Sequence, residues 1–202
     1  MKTRKLRKFL MLLASALLLV SVTVGATVAY LTAQTEVVTN TFTVGNVALT
    51  LNESKVDLYG VKDETADPVM ANTYKLIPGH TYTKDPTVHI TAGSENGWLF
   101  VKVDNGIAGI EDATTIAAQM TAIGWNAVAG ETGVYAYKEI VKACDNVKVF
   151  ESFKIKGDAN VAAYNGETIT VQAYMVQADT FTSAEAAWTA APLAAWKAPS
   201  AQ

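Results

Sequence analysis

The stretch WLFVKVDNG, residues 98–106, alternates apolar and polar side chains with a period of two. An extended chain puts Leu99, Val101 and Val103 on one side, where a helix would scatter them. Asp104-Asn105-Gly106 then supplies residues that turn a chain back. The same period recurs along most of the sequence. DPTVHIT sets Val88 and Ile90 against Thr87, His89 and Thr91, and ETITVQAYMVQAD places Ile169, Val171, Ala173 and Met175 on one side. FTVGNVALTL offers Phe42 and Val44, then Val47, Leu49 and Leu51, and the change of phase at Gly45-Asn46 reads as a bulge or tight bend. SKVDLYGV and VKVFESFKI read as further short strands, DETADP as an acidic loop, Pro78-Gly79 as a turn, and WNAVAGETGVYAYKEIV as a hairpin around Ala129 to Gly133.

Only two segments have helical spacing. EDATTIAAQMTAIG brings Ile116, Met120 and Ile123 to one face, with Thr114 or Asp112 as the cap and Gly124 as the stop. TSAEAAWTAAPLAAW has Thr182 followed three residues later by Glu185, the pattern of a capping box, and Pro192 to end or kink the helix. Short strands, frequent turns and no strand–helix–strand rhythm predict an all-β fold. The expected architecture is one antiparallel, jelly-roll-like β-sandwich over residues 42–202, with one or two short helices.

A different kind of segment comes first. Lys2, Arg4, Lys5, Arg7 and Lys8 precede an apolar run from Phe9 to Val24, and small residues follow at Gly25, Ala26, Thr27 and Ala29. This is the layout of a secretory signal peptide, and sixteen residues are few for a membrane span, which takes roughly 20. Thr27-Val28-Ala29 puts small residues at the two positions a signal peptidase reads, so cleavage is expected between Ala29 and Tyr30. Residues 1–29 are then the signal peptide. The competing reading is an uncleaved membrane anchor.

Cleavage alters the charge. The whole chain carries −3, and five of its positive charges lie in the first eight residues, so residues 30–202 carry −8, with 11 basic against 19 acidic side chains. That balance argues against nucleic acid, whose phosphates call for clustered Lys and Arg. Cys144 is the sole cysteine, so no disulfide can form within the chain. A secreted chain without disulfides must rely on its core and fits an exporting bacterium that lacks an oxidising folding compartment.

The residues offer little for catalysis. His80 and His89 are the only histidines, and no HExxH helix or Cys/His cluster is present for zinc. Cys144 lies in KACDN, which matches no nucleophile signature, and there is no GxSxG elbow. The carboxylates at Asp63, Glu64 and Asp67, and at Glu111 and Asp112, lack the glycine turn of a calcium loop. No cofactor, metal site or catalytic residue is expected. Trp98, Trp125, Trp188 and Trp196 offer either a carbohydrate surface or core aromatics.

Several motifs resemble the TasA/camelysin family of secreted fibre proteins from Gram-positive bacteria. They are GATVAYLT at the end of the leader, then Asn40, Phe42, Gly45 and Leu49, the stretch KLIPGHTYTKDPTVHITAGSENGWLFVKV, and VQADTFTSAEAAW. The resemblance implies a jelly-roll-like sandwich, export by the general secretory route, trimming by a dedicated signal peptidase and assembly into fibres of an extracellular biofilm matrix. Its implied partners are further copies of the chain, head-to-tail, the signal peptidase during export and accessory matrix subunits. The membrane would enter only through the signal peptide. Camelysin-like members are described as metalloproteases, but without a zinc motif that activity is not carried over. Ala33 and Gln34 depart from the acidic or differently ordered polar residues of many relatives.

Three readings of function follow: a structural subunit at the cell surface or in the extracellular matrix, a monomeric adhesin or glycan-binding module, and a secreted protease. For the first, the segment after the cleavage site matters most. Tyr30, Leu31, Thr32, Ala33, Gln34, Thr35, Glu36, Val37, Val38, Thr39, Asn40 and Thr41 contain no Pro or Gly. Their small, polar and β-branched side chains suit an extended strand but bring little apolar surface to dock on their own core. Residues 30–41 are therefore the candidate donor strand for a neighbouring subunit's sheet. N-terminal sequencing of the extracellular protein should find Tyr30 first. An intact Met1 would instead make it membrane-anchored.

Overall fold

The structure is a computed structural model that describes residues 46–190. The signal peptide, the segment 30–41 and the residues Phe42, Val44 and Gly45 lie outside them, as do Pro192 and Trp196. Nine strands and two short α-helices follow in order: β1 Leu49–Asn52, β2 Thr81–Thr83, β3 Thr87–Ile90, β4 Gly97–Asn105, α1 Ile116–Ala122, β5 Trp125–Ala127, β6 Val134–Val141, β7 Asn146–Lys148, β8 Ser152–Lys154, β9 Ile169–Gln177 and α2 Ala184–Ala190. Every strand pairing is antiparallel, so the described residues form an all-β fold. The sheets run β1-β3-β7, β2-β8 and β5-β6-β4-β9.

The expected alternation places the core. Leu99 and Val101 are fully buried and Val103 nearly so. They meet Val88 and Ile90 of β3, Val147 of β7, Tyr82 of β2, Phe153 of β8 and Met175 of β9 in one apolar cluster, so all three sheets face a shared interior. Each such side chain contributes about 1.5–3 kcal/mol by leaving water. Trp125 is fully buried, and its indole Nε1 donates to the carbonyl of Lys148 at 3.0 Å, which ties β5 to β7.

The opposite side of β4 is also covered. Phe100 is fully buried beneath α2, with its ring 5.0 Å from that of Trp188, and Val134 and Ala187 complete the pocket. Trp98 packs at its margin and donates from Nε1 to the carbonyl of Phe181. β4 is thus a strand with two interiors, where the alternation alone predicted one.

The helices lie where the spacing puts them, but their caps are corrected. Thr115, not Thr114 or Asp112, caps α1: its Oγ1 accepts from the N–H of Ala118 at 3.2 Å. Ser183, one residue past Thr182, caps α2 by accepting from Ala186 at 3.2 Å. In each case the residue next to the first helical turn has the reach to its third amide. Ile123 is 40% exposed rather than inward, because the helix ends at Ala122 and Gly124, at φ +102°, redirects the chain.

Two more expectations change. β4 runs on through Asn105, so the turn begins at Gly106. SKVDLYGV forms no strand, only a bridge between Val56 and Lys62. Asp57 is the reason: its Oδ1 accepts from the N–H groups of Tyr59 and Val61, both at 2.9 Å, and that fold-back replaces ladder bonds. Gly60, at φ +77°, closes this turn against Tyr82, whose Cα would lie 2.7 Å from any added Cβ. The Pro78-Gly79 turn and the β5–β6 hairpin form as expected.

Cys144 sits at φ +68° in the β6–β7 turn with its thiol exposed. A left-handed backbone costs a side-chain-bearing residue roughly 1–2 kcal/mol, and glycine avoids this at some cost in unfolded-chain entropy. Cys144→Gly should raise stability by roughly 0.5–1 kcal/mol in urea unfolding. A loss of stability would mean that the thiol makes a contact worth more than the strain.

Candidate functional site

Each of the three sheets ends in edge strands among the described residues, and two of these edges, β1 and β9, come together. β1 bonds to β3 alone and β9 to β4 alone. Both strands help to wall one groove of about 1160 Å³, to which β1 gives Leu51 and Asn52 and β9 gives Ile169 to Val171. The rest of the wall comes from residues 70–76 and 161–168 and from Ile107, Phe153 and Lys84. An open edge carries N–H and C=O groups whose partners are water or another strand. The end of β1 is already bridged, since Glu53 and Val69 exchange backbone bonds at 2.9 and 2.8 Å.

The excursion from residue 53 to 80 forms the groove's apolar rim. Leu58 and Met70 line it and are 50% and 81% exposed. Tyr59 and Val61 are exposed beside them. Tyr82 holds the return limb in place: its hydroxyl donates to the carbonyl of Lys75 at 2.6 Å and accepts from the N–H of Ile77 at 2.7 Å.

At the base of the excursion lies a buried polar cluster. Lys84 Nζ is 2.7 Å from Glu53 Oε2, and both side chains are almost wholly out of solvent. Asn72 donates from Nδ2 to Glu53 Oε1 at 2.9 Å and to the carbonyl of Ser54 at 2.8 Å, and its Oδ1 accepts from the N–H of Val56 at 3.0 Å. Asp85 accepts from both the N–H and the hydroxyl of Ser54. Burial, with the Glu53 and Asp85 carboxylates close by, raises the pKa of the Tyr74 phenol well above that of an ordinary tyrosine. Three segments that share no sequence motif therefore meet here.

Glu111 is a second buried carboxylate, and its hydrogen-bond partners are neutral. Asn105 Nδ2 donates to Oε2 at 2.9 Å, and the N–H of Ile116, at the start of α1, donates to Oε1 at 3.0 Å. Burial raises its pKa above the usual 4.5, and these two donors oppose the shift.

Among the described residues, those singled out in the sequence do not converge. Ala29, Tyr30 and the candidate donor strand through Thr41 lie outside the described residues. His80 sits edge-on to Tyr82, with Nε2 2.9 Å from the carbonyl of Tyr59, and His89 stands between Asn52 and Asn146. The Asp63 carboxylate accepts from the backbone and hydroxyl of Thr65. Among the described residues, no three His, Cys, Asp or Glu side chains are grouped to hold a metal ion. Trp125 and Trp188 are core residues and Trp98 is half-buried, so these three make no exposed glycan platform.

Comparison with protein-family models, with curated proteins and with solved structures gives no match.

The Glu111 shift has a sign that can be measured. Because its folded pKa is raised, the folded state holds this proton more tightly than the unfolded chain does. The stabilisation is full below about 4.5 and is lost as pH rises through the folded value. Relative to Glu111→Gln, the wild type should therefore gain stability as pH falls across the window just above 4.5. Urea unfolding of both proteins at a series of pH values checks this, and a constant difference would contradict it.

Proposed function

We propose that this protein is a secreted structural subunit that polymerises head-to-tail into extracellular matrix fibres. The segment from Tyr30 to about Thr41 of one copy adds as a strand to the next. The observation that carries this reading is the groove walled by the open edges of β1 and β9. A strand laid there can bond through its backbone to either edge, and alternate side chains can set its register. β9 is nine residues long, about 30 Å, and the twelve residues 30–41 are long enough to run its length.

The order of events follows from the sequence. Before cleavage the segment is tethered to the signal peptide at the membrane. After cleavage it is free to reach a neighbour. Donor and acceptor are different parts of the sequence, so each added copy brings a fresh groove, and the contact builds open filaments rather than closed rings. The jelly-roll-like arrangement of the sheets and the likeness to TasA/camelysin fibre proteins belong to the same proposal.

Removing residues 30–40 from the mature protein tests it. The truncated protein should keep the circular dichroism and cooperative unfolding of the full mature chain but form no fibres under the electron microscope. Normal polymerisation of the truncated protein would place the donor elsewhere.

A further inference from the structure

The chain has one cysteine and so no internal disulfide, yet a covalent brace of another kind is laid out at the base of the excursion. We propose that Lys84 and Asn72 become joined by an intramolecular isopeptide bond, with Glu53 as the proton carrier. This inference stands apart from the fibre reading and rests on different residues.

Each group of the cluster is set for one part of that reaction. Lys84 Nζ, the nucleophile, lies on one oxygen of Glu53 at 2.7 Å, and Asn72 Nδ2, the leaving nitrogen, lies on the other at 2.9 Å. A single carboxylate thus binds the atom that attacks and the atom that departs. The N–H of Val56 donates to Asn72 Oδ1 at 3.0 Å, where negative charge develops when Cγ is attacked. The carbonyl of Ser54 accepts from Nδ2 at 2.8 Å, so the amide oxygen and nitrogen are told apart by their partners. Held this way, amine and amide react as neighbours rather than as solutes.

The reacting pair is enclosed: Glu53 is 5% and Lys84 9% exposed. The reaction begins with a proton transfer along their 2.7 Å contact. Moving one proton from the Lys84 ammonium to the Glu53 carboxylate leaves an amine with a free electron pair and a neutral acid.

The bookkeeping closes without a co-reactant. The Nζ–Cγ bond forms and the Cγ–Nδ2 bond breaks. Of the three protons on the ammonium, one stays on the new amide nitrogen, one passes through Glu53 to Nδ2, and the third leaves with the ammonia as ammonium. Glu53 ends ionised, as it began, and nothing is oxidised or reduced. The product ties residues 70–76 to the end of β2 and is insensitive to reductant. It would brace a segment that has no strand pairing of its own beyond isolated bridges.

Mass spectrometry of the purified mature protein decides the matter. The intact mass should fall short of the sequence mass by one ammonia. Trypsin should fail to cut after Lys84, and tandem spectra should show a branched peptide joining Asn72 to Lys84. Lys84→Arg and Glu53→Gln should each restore the full mass. If either variant fails to fold, the wild-type mass and branched peptide still decide. A wild type at full mass overturns the proposal and leaves an ordinary buried ion pair. So does an ammonia loss that maps instead to an Asn-Gly pair such as Asn105-Gly106 or Asn165-Gly166.

Discussion

The rest of the fold depends on β4 being buried on both faces. Leu99, Val101 and Val103 serve the main interior, and Phe100 serves the smaller one under α2. Because β4 also bonds to β6 on one side and β9 on the other, its nine residues fix the register of the largest sheet. A one-residue slip would exchange the two faces and send Phe100 into a space shaped for smaller aliphatic side chains. The pairing with β9 runs unbroken from Gly97 to Asn105, whereas that with β6 shifts between Trp98 and Phe100. Among the described residues β9 is therefore held along one edge by β4 and has no strand on the other, so the most regular pairing there also presents the longest open edge.

The second constraint is the polar cluster of Glu53, Asn72 and Lys84. The excursion between β1 and β2 buries few large side chains, and several of its apolar residues face solvent. Its course is held instead by hydrogen bonds and by one buried ion pair. A buried pair is a weak source of net stability, since desolvation offsets most of the attraction. Its value is positional: either charge left alone in that site would be costly, so the excursion has one acceptable path past the groove. The same fixed geometry gives the cluster its chemical reach.

Much of the fold is legible in particular residues. Val88 and Ile90, Leu99 to Val103, and Ile169 to Met175 point inward as their period requires, because a strand allows no other arrangement once one face is dry. The errors are equally physical. SKVDLYGV has strand composition, but the Asp57 carboxylate satisfies two nearby backbone donors and folds the chain back. Caps shifted by one residue because Thr114 and Thr115, or Thr182 and Ser183, offer the same hydroxyl, and only the path of the backbone selects between them. A signal for the polar cluster was present in the alternation itself. Glu53 continues the parity of Leu49 and Leu51, and Lys84 that of Tyr82, so both charges were due to point inward. Nothing in the chain said that they would point at each other.

What the sequence determined by itself is local: the strand period, the turns at Pro78-Gly79 and in the β5–β6 hairpin, the two helical segments and the net charge of residues 30–202. These follow from neighbouring side chains and from backbone preferences that act over a few residues. What only the tertiary structure decided is which faces meet. Phe100 lies on the polar side of its own strand's alternation and is buried because α2, more than eighty residues later, covers it. Among the described residues the groove lies where edges from two different sheets come side by side, and Glu53, Asn72 and Lys84 meet because their segments pack. Contacts between residues distant in sequence carry no periodic signature, so their partners are fixed only when the sheets close on a common core.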